Sequence, residues 1–161
     1  MISNFLGDSL SFSIFIKLGV ALLCGMIIGT ERIISHKAAG MRTYALVSLG
    51  AAMFVVINDL MINKYIPMGL SVNDPLQIPS MIISGIGFMG AGIIIFKDTN
   101  VTGLTTASGL WAAAGIGMAC GAGFFGLSIL VTVLTLFIFI ALRPVEQEVK
   151  KVTHSDEDKT F

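Results

Sequence analysis

The chain has 161 residues, 55% of them hydrophobic and only 12% charged, with a formal net charge of zero. Soluble domains carry about twice that share of charge, and nucleic-acid-binding domains need a basic field that a neutral chain cannot supply. With a mean hydropathy of +0.89, composition excludes both classes and points to a lipid bilayer as the solvent.

A transmembrane helix needs about 20 mostly apolar residues, because the hydrocarbon core is about 30 Å thick and each residue rises about 1.5 Å. The charges here gather in clusters between apolar runs, which leaves room for five such helices and little else. The opening stretch MISNFLGDSLSFS carries Asp8 and no Lys or Arg before Lys17. That is not the positive start of a signal peptide, so the first span is read as retained. Span 1 covers Leu10–Gly29 and is interrupted by Lys17, read as a lysine that snorkels to the headgroups; the other reading pairs it with a carboxylate inside the bundle. A charged loop, 30–42, leads to span 2 at Thr43–Ile62, which ends in the polar pair Asn58-Asp59. Surface exposure is the simpler fate of that pair, although Asn58 is deep enough to bond another helix. After a Pro-bearing loop comes span 3 at Ile78–Phe96. The 44 residues from Thr99 to Leu142 contain no charge, too many for one helix and right for a helical hairpin. Span 4 is placed at Val101–Cys120 and span 5 at Phe124–Leu142, with Gly121-Ala122-Gly123 as the turn. Span 4, rich in Gly, Ala, Ser and Thr around Trp111, is expected among the other helices, and the greasier span 5 toward lipid. The tail, 143–161, is polar and too short to fold alone.

Lys and Arg in short loops set membrane orientation. Loop 30–42, turn 97–100 and the tail hold Arg32, Lys37, Arg42, Lys97, Arg143, Lys150, Lys151 and Lys159, whereas the opposite set holds only Lys64. The sequence therefore predicts an all-α integral membrane protein with five spans, its N-terminus outside and its C-terminus cytoplasmic.

Span 3 contains SGIGFMGAGIII, in which Gly85, Gly87 and Gly90 spell G-x-G-x-x-G. As a dinucleotide fingerprint this needs a preceding strand and an acid about 20 residues on, and the nearest downstream acid, Asp98, is too close. Helices in lipid associate through close contact that small residues allow. Span 1 offers Ala21, Gly25 and Gly29, span 3 offers Gly85, Gly87, Gly90, Ala91 and Gly92, and span 4 offers Ala113, Gly117 and Gly121. These glycines are read as helix-packing residues. A broken helix in span 3 whose freed backbone groups line an ion site is the second reading. The same faces would serve a homodimer or larger oligomer, or contact with another membrane protein.

Glu31 and Arg32 end span 1, and Arg42 and Thr43 begin span 2. An ion pair of Glu31 with Arg32 or Arg42 would pin the helix pair; the alternative is a contact to an anion or partner through the planar arginine fork. Thr102, Thr105, Thr106 and Ser108 open span 4. Their hydroxyls either bond back to the helix or join Glu31, Arg42, Lys97 and Asp98 around a cytoplasmic vestibule with Trp111 as its floor. Magnesium takes oxygen ligands and keeps several waters, but Glu31, Asp59 and Asp98 do not pair inside the hydrocarbon core, so no metal ligands are assigned. Lys17 has the wrong sign for a cation path. Cys24 and Cys120 lie in apolar runs and are read as small packing residues, not as a disulfide. His36 and His154 have no catalytic partner at useful spacing, and the chain is read as no enzyme and as using no cofactor.

Two strings carry a resemblance: GTERIISHKAAGMRTYALVSLGAAMF at 29–54 and ISGIGFMGAGIIIFKDTNVTGLTTASGLWAAAGIGMACGAGFF at 83–125. Over about residues 10–140 the sequence resembles the MgtC/SapB family of bacterial inner-membrane proteins. The resemblance rests on the ER pair after span 1, the AG-hydrophobic-RT signature entering span 2, the GIGF-hydrophobic-GAG run and V-x-GLTTA…LW. Tyr44 stands where that family usually has His, so a role for that imidazole does not carry over. Many members add a soluble cytoplasmic domain; here 19 residues follow span 5, as in the shorter SapB branch. The resemblance implies a multi-pass protein of the bacterial plasma membrane, tied to growth in low magnesium and to virulence. Two functions follow from it: an accessory or regulatory protein acting through helix contacts, or a transporter of Mg²⁺, another ion or a small solute whose path forms between protomers.

Overall fold

The computed structural model describes residues 8–66, 77–97 and 100–157. Five helices make up nearly all of it: α1 (Asp8–Ile34), α2 (Met41–Tyr65), α3 (Gln77–Ile93), α4 (Leu104–Gly121) and α5 (Phe125–Glu157). A small antiparallel hairpin, β1 (Ile95–Lys97) with β2 (Asn100–Thr102), joins α3 to α4 with Phe96 opposite Val101. Three segments, Phe12–Ile34, Met41–Tyr65 and Phe125–Val145, are long and apolar enough to cross a membrane. Their outer faces carry exposed Phe15, Leu23, Phe54, Leu130, Leu134 and Phe137. That much unpartnered apolar surface is tolerated in lipid and not in water; this is a membrane protein.

The observed elements depart from the sequence reading at three joints. Helix α1 runs on to Ile34, so Glu31 and Arg32 are helical residues and the connection is short. It closes in a Schellman turn: His36 takes φ 52°, its N–H donates to the Ile33 carbonyl at 3.0 Å, and the Lys37 N–H donates to that of Arg32 at 2.9 Å. Helix α3 is continuous, not broken, and stops at Ile93; residues expected at the end of span 3 and the start of span 4 form the hairpin. Gly103 lets the chain turn from hairpin into α4 at φ 90°, where a side chain would strike the Ile93 carbonyl. The expected separate tail is instead a continuation of α5, which passes through Pro144 to Glu157.

Helix α4 is the hub, touching α1, α2, α3 and α5, and ten of its residues from Thr106 to Gly121 are buried. Close approach explains how. A Cβ on Gly25 would lie 2.6 Å from the Tyr44 carbonyl oxygen, and one on Gly29 would meet the Met41 backbone. From the other side, a Cβ on Gly117 would collide with the Ser48 carbonyl, and one on Gly121 would lie 2.6 Å from that of Ala52. Between these contacts the Ser48 hydroxyl donates to the Ala21 carbonyl at 2.8 Å. Cys24 and Cys120 are free and buried within this layer. On α5, Thr132 and Thr135 donate to the carbonyls of Ser128 and Val131 at 2.7 and 2.8 Å, so their hydroxyls are satisfied within the helix.

The α3 glycines behave differently from expectation. Gly90 makes ordinary contact with Ala107, but Gly85, Gly87 and Gly92 have nothing within 4 Å of where a Cβ would stand. Within one chain they bring no backbones together, because α3 rests chiefly on α4 and turns its small face outward. Gly117→Val should therefore cost about 3 kcal/mol by overpacking, read as a lower melting temperature in detergent. Gly87→Ala should stay within about 1 kcal/mol of wild type, and a loss matching that of Gly117→Val would show that α3 is covered by a neighbour.

Candidate functional site

The C-terminal turn of α1, the starts of α2 and α4, and residues 139–143 of α5 meet at one end of the bundle. Arg32 lies at the centre. It is 2% exposed, and its Nε and Nη2 both reach Glu31 Oε2 in a side-on ion pair. The guanidinium carbon stands 3.5 Å from the centroid of the Phe139 ring, within cation–π range. Glu31 accepts a second hydrogen bond, from Ser35 Oγ at 2.6 Å on its other oxygen. Ser35 in turn accepts from Arg143 Nη1 at 3.1 Å. A continuous relay thus runs from Arg143 through Ser35 and Glu31 to Arg32, tying α5 to α1. Glu31 and Ser35 sit one helical turn apart, the spacing that brings two side chains to one face.

A second layer supports it. Tyr44 is fully buried and its hydroxyl donates to the Thr106 carbonyl at 3.3 Å. Gly109 makes room for this tyrosine and for Phe139, since a Cβ there would collide with the Tyr44 hydroxyl and approach the Phe139 ring at 2.7 Å. In front of the relay lies an open recess of about 590 Å³, lined by Arg32, Ser35, Lys37, Thr105, Phe139 and Arg143, with a wall of apolar α5 side chains.

Of the polar residues singled out in the sequence, the structure brings together Glu31, Arg32 and Thr105. Thr106 is buried beside them, contributing its carbonyl to Tyr44. Arg42 is exposed and Thr43 half-buried, and neither lines the recess. Thr102 donates to the Ile95 carbonyl across the hairpin at 3.4 Å, and Ser108 to the Leu104 carbonyl at 3.0 Å within α4. Lys97 belongs to β1, its side chain falls outside the described residues, and so does Asp98 altogether. Trp111, expected as a floor, is 56% exposed on the outer side of α4, beside Ile83 and Ile86 of α3. Nothing in the sequence spacing points to Ser35, Phe139 or Gly109, and Arg143 enters the sequence reading only as a topological charge. Its position as the first charge after 44 uncharged residues was the one available signal.

At the opposite end, Lys17 pairs with Asp59 across α1 and α2 at 3.8 Å, their side chains 17% and 56% exposed. This is the carboxylate pairing set aside in the sequence reading; it arises because the antiparallel helices place the start of one beside the end of the other. Asn58 is half-buried there, and Asp59 also accepts from Asn63 Nδ2 at 3.3 Å. Among the described residues, Glu31 and Asp59 thus each already hold a cation of the chain itself.

Removing one member of a buried pair leaves an uncompensated charge, which costs about 3–5 kcal/mol. Arg32→Met should lose about that much, since it strands Glu31 at 11% exposure. Glu31→Gln/Arg32→Met should recover most of the loss, and a double-mutant cycle from detergent melting curves measures the coupling.

The MgtC family model matches residues 18–148. The chain is 42% identical over 127 residues to Protein MgtC of Brucella abortus (strain 2308), covering 79% of this chain and 50% of that relative. It is 40% identical over 148 residues to Protein MgtC of Salmonella typhimurium (strain LT2), covering 92% of this chain and 60% of the relative. The chain therefore spans about half to three-fifths of the curated relatives it matches. No solved structure matches. With the match extending from the middle of α1 through Arg32, Phe139 and Arg143, the chain belongs to the MgtC family.

Proposed function

We propose that this chain is a non-enzymatic, five-span protein of the bacterial inner membrane that serves adaptation to magnesium limitation, and with it virulence, in an accessory or regulatory capacity. The observation that carries the reading is where the ionised groups lie. Glu31, Arg32 and Arg143 form their network at one end of the bundle, and Lys17 and Asp59 pair at the other. Between them the helices are in contact through Gly25, Gly117 and Gly121 against backbone. Charged groups along a span are the usual mark of an ion path, whereas this distribution suits a rigid body that presents one polar end to a partner.

The five-span count needs α3 and α4 to cross as well. Seventeen residues of α3 rise about 26 Å, short of a core about 30 Å thick. The β1–β2 hairpin adds depth with exposed Ile95, Phe96 and Val101, and its cross-strand hydrogen bonds spare its backbone some of the cost of meeting lipid. The bias of Lys and Arg to the recess end supports a cytoplasmic C-terminus and an outside N-terminus.

A second reading, a transporter of an ion or small solute with a path between protomers, is favoured by one feature. The outward small face of α3 borders an apolar groove of about 450 Å³ against α2, lined by Gly50, Phe54, Gly85 and Met89.

Two measurements separate these readings. Proteoliposomes with an entrapped magnesium indicator should show no flux above empty vesicles for protein verified as folded and inserted. Flux abolished by Gly85→Leu would establish the inter-protomer path instead. A fluorescent protein that matures only in the cytoplasm should fluoresce when fused to the C-terminus; darkness there would reverse the proposed orientation.

A further inference from the structure

The recess has two unlike walls. One is cationic: Arg32, Lys37 and Arg143, with the hydroxyls of Ser35 and Thr105. Glu31 is a carboxylate in contact with this network, and it is engaged side-on by Arg32. Beyond this pair, the cations that line the recess are Arg143 and Lys37. Arg143 spends one donor on Ser35 and has four more N–H groups on its fork. Lys37 follows the α1 turn in which His36 adopts a left-handed conformation, and its side chain is exposed. The other wall is apolar: Ile138, Leu142, Val145 and Val149. Their spacing of four, three and four residues puts them on one face of α5.

Depth decides what such a pair of walls can hold. Segment Phe125–Val145 is apolar and long enough to cross a membrane. Arg143 is 18 residues beyond Phe125, a rise of about 27 Å. Its guanidinium consequently lies at the boundary between hydrocarbon and headgroups, where lipid phosphates sit. Ile138 and Leu142 lie on the hydrocarbon side of it.

We infer that this recess binds the headgroup of an anionic phospholipid: its phosphate meets Arg143 and Lys37, and its apolar portion lies against Ile138 and Leu142. A free anion would have no use for the apolar wall. A zwitterionic lipid would bring its own cation toward Arg143 and Lys37. An arginine fork suits phosphate oxygens through paired, charge-assisted hydrogen bonds. The inference rests on α5 crossing the membrane and is independent of the accessory role proposed above.

The test is native mass spectrometry of the detergent-purified chain with phosphatidylglycerol or phosphatidylcholine, for wild type and Lys37→Gln/Arg143→Gln. Wild type should retain phosphatidylglycerol in preference to phosphatidylcholine, and the double variant should bind phosphatidylglycerol about 30-fold more weakly, the worth of two cations near an anionic lipid. Equal retention of the two lipids by wild type, or unchanged retention of phosphatidylglycerol by the variant, would overturn the inference. So would displacement of the bound lipid by millimolar inorganic phosphate alone, which would mark a free-anion site. If the double variant fails to fold, Lys37→Gln alone, altered at an exposed side chain, should weaken retention about fivefold; no change there counts against the site in the same way. Arg143→Lys, which keeps the charge and loses the fork, should fall between wild type and Arg143→Gln. Magnesium flux in proteoliposomes would remove the accessory reading and leave the lipid result standing.

Discussion

Helix α2 is held between two glycine faces, and the rest of the bundle follows from that contact. Gly25 and Gly29 of α1 press on its first half from one side, while Gly117 and Gly121 of α4 press near Ser48 and Ala52 from the other. Helices in lipid gain nothing from burying apolar side chains against each other that lipid would not also supply, so association depends on close van der Waals approach and hydrogen bonds. Both are present here. The glycines bring backbone to backbone, and Ser48 adds a hydrogen bond across the same seam. Once α2 is fixed against α1 and α4, Tyr44 reaches Thr106 and Lys17 reaches Asp59.

The Arg32 cluster is a consequence of this packing and a constraint on it. A guanidinium buried to 2% exposure is expensive unless every side of it is answered. Glu31 answers its charge, Phe139 covers one face, and Ser35, which itself accepts from Arg143, donates to the carboxylate's other oxygen. Gly109 is what lets Phe139 and Tyr44 share the space beside α4. The cluster thereby sets the rotation of α5 against α1, and its outer edge, Arg143 with Lys37, is left facing the recess. Stability and the chemistry of the site are therefore one arrangement: the network that holds the helices also fixes where Arg143 stands.

Helix α3 stands apart from this logic. It carries the densest run of glycines, yet Gly90 alone makes contact within the chain, and at van der Waals distance. The hairpin that follows it replaces what would have been another turn of helix at each side of the connection. A small-residue face with nothing against it is a surface without an occupant in one protomer, which is why the transport reading depends on what lies beside α3.

Much was readable from the sequence alone. Apolar run length, charge clusters and glycine turns marked five helices, because bilayer thickness imposes a length that few other structures share. The ladders of α1 and α4 were readable because four-residue spacing stacks small residues on one face. The pairing of Glu31 with Arg32 was readable because the two are adjacent. What the sequence left undecided is how each helix is rotated about its axis. In helices apolar nearly all round, periodicity does not distinguish the face that meets protein from the face that meets lipid. Trp111 looked internal and is outward; Gly87 looked like a contact and is open; Arg42 looked like a member of the cluster and is outside it. Arg143 and Ser35 are 108 residues apart, and Lys17 and Asp59 belong to different helices, so no local rule could join them. Only the tertiary structure decided those pairings, because a side chain's reach across a bundle depends on where close backbone contact allows its helix to sit.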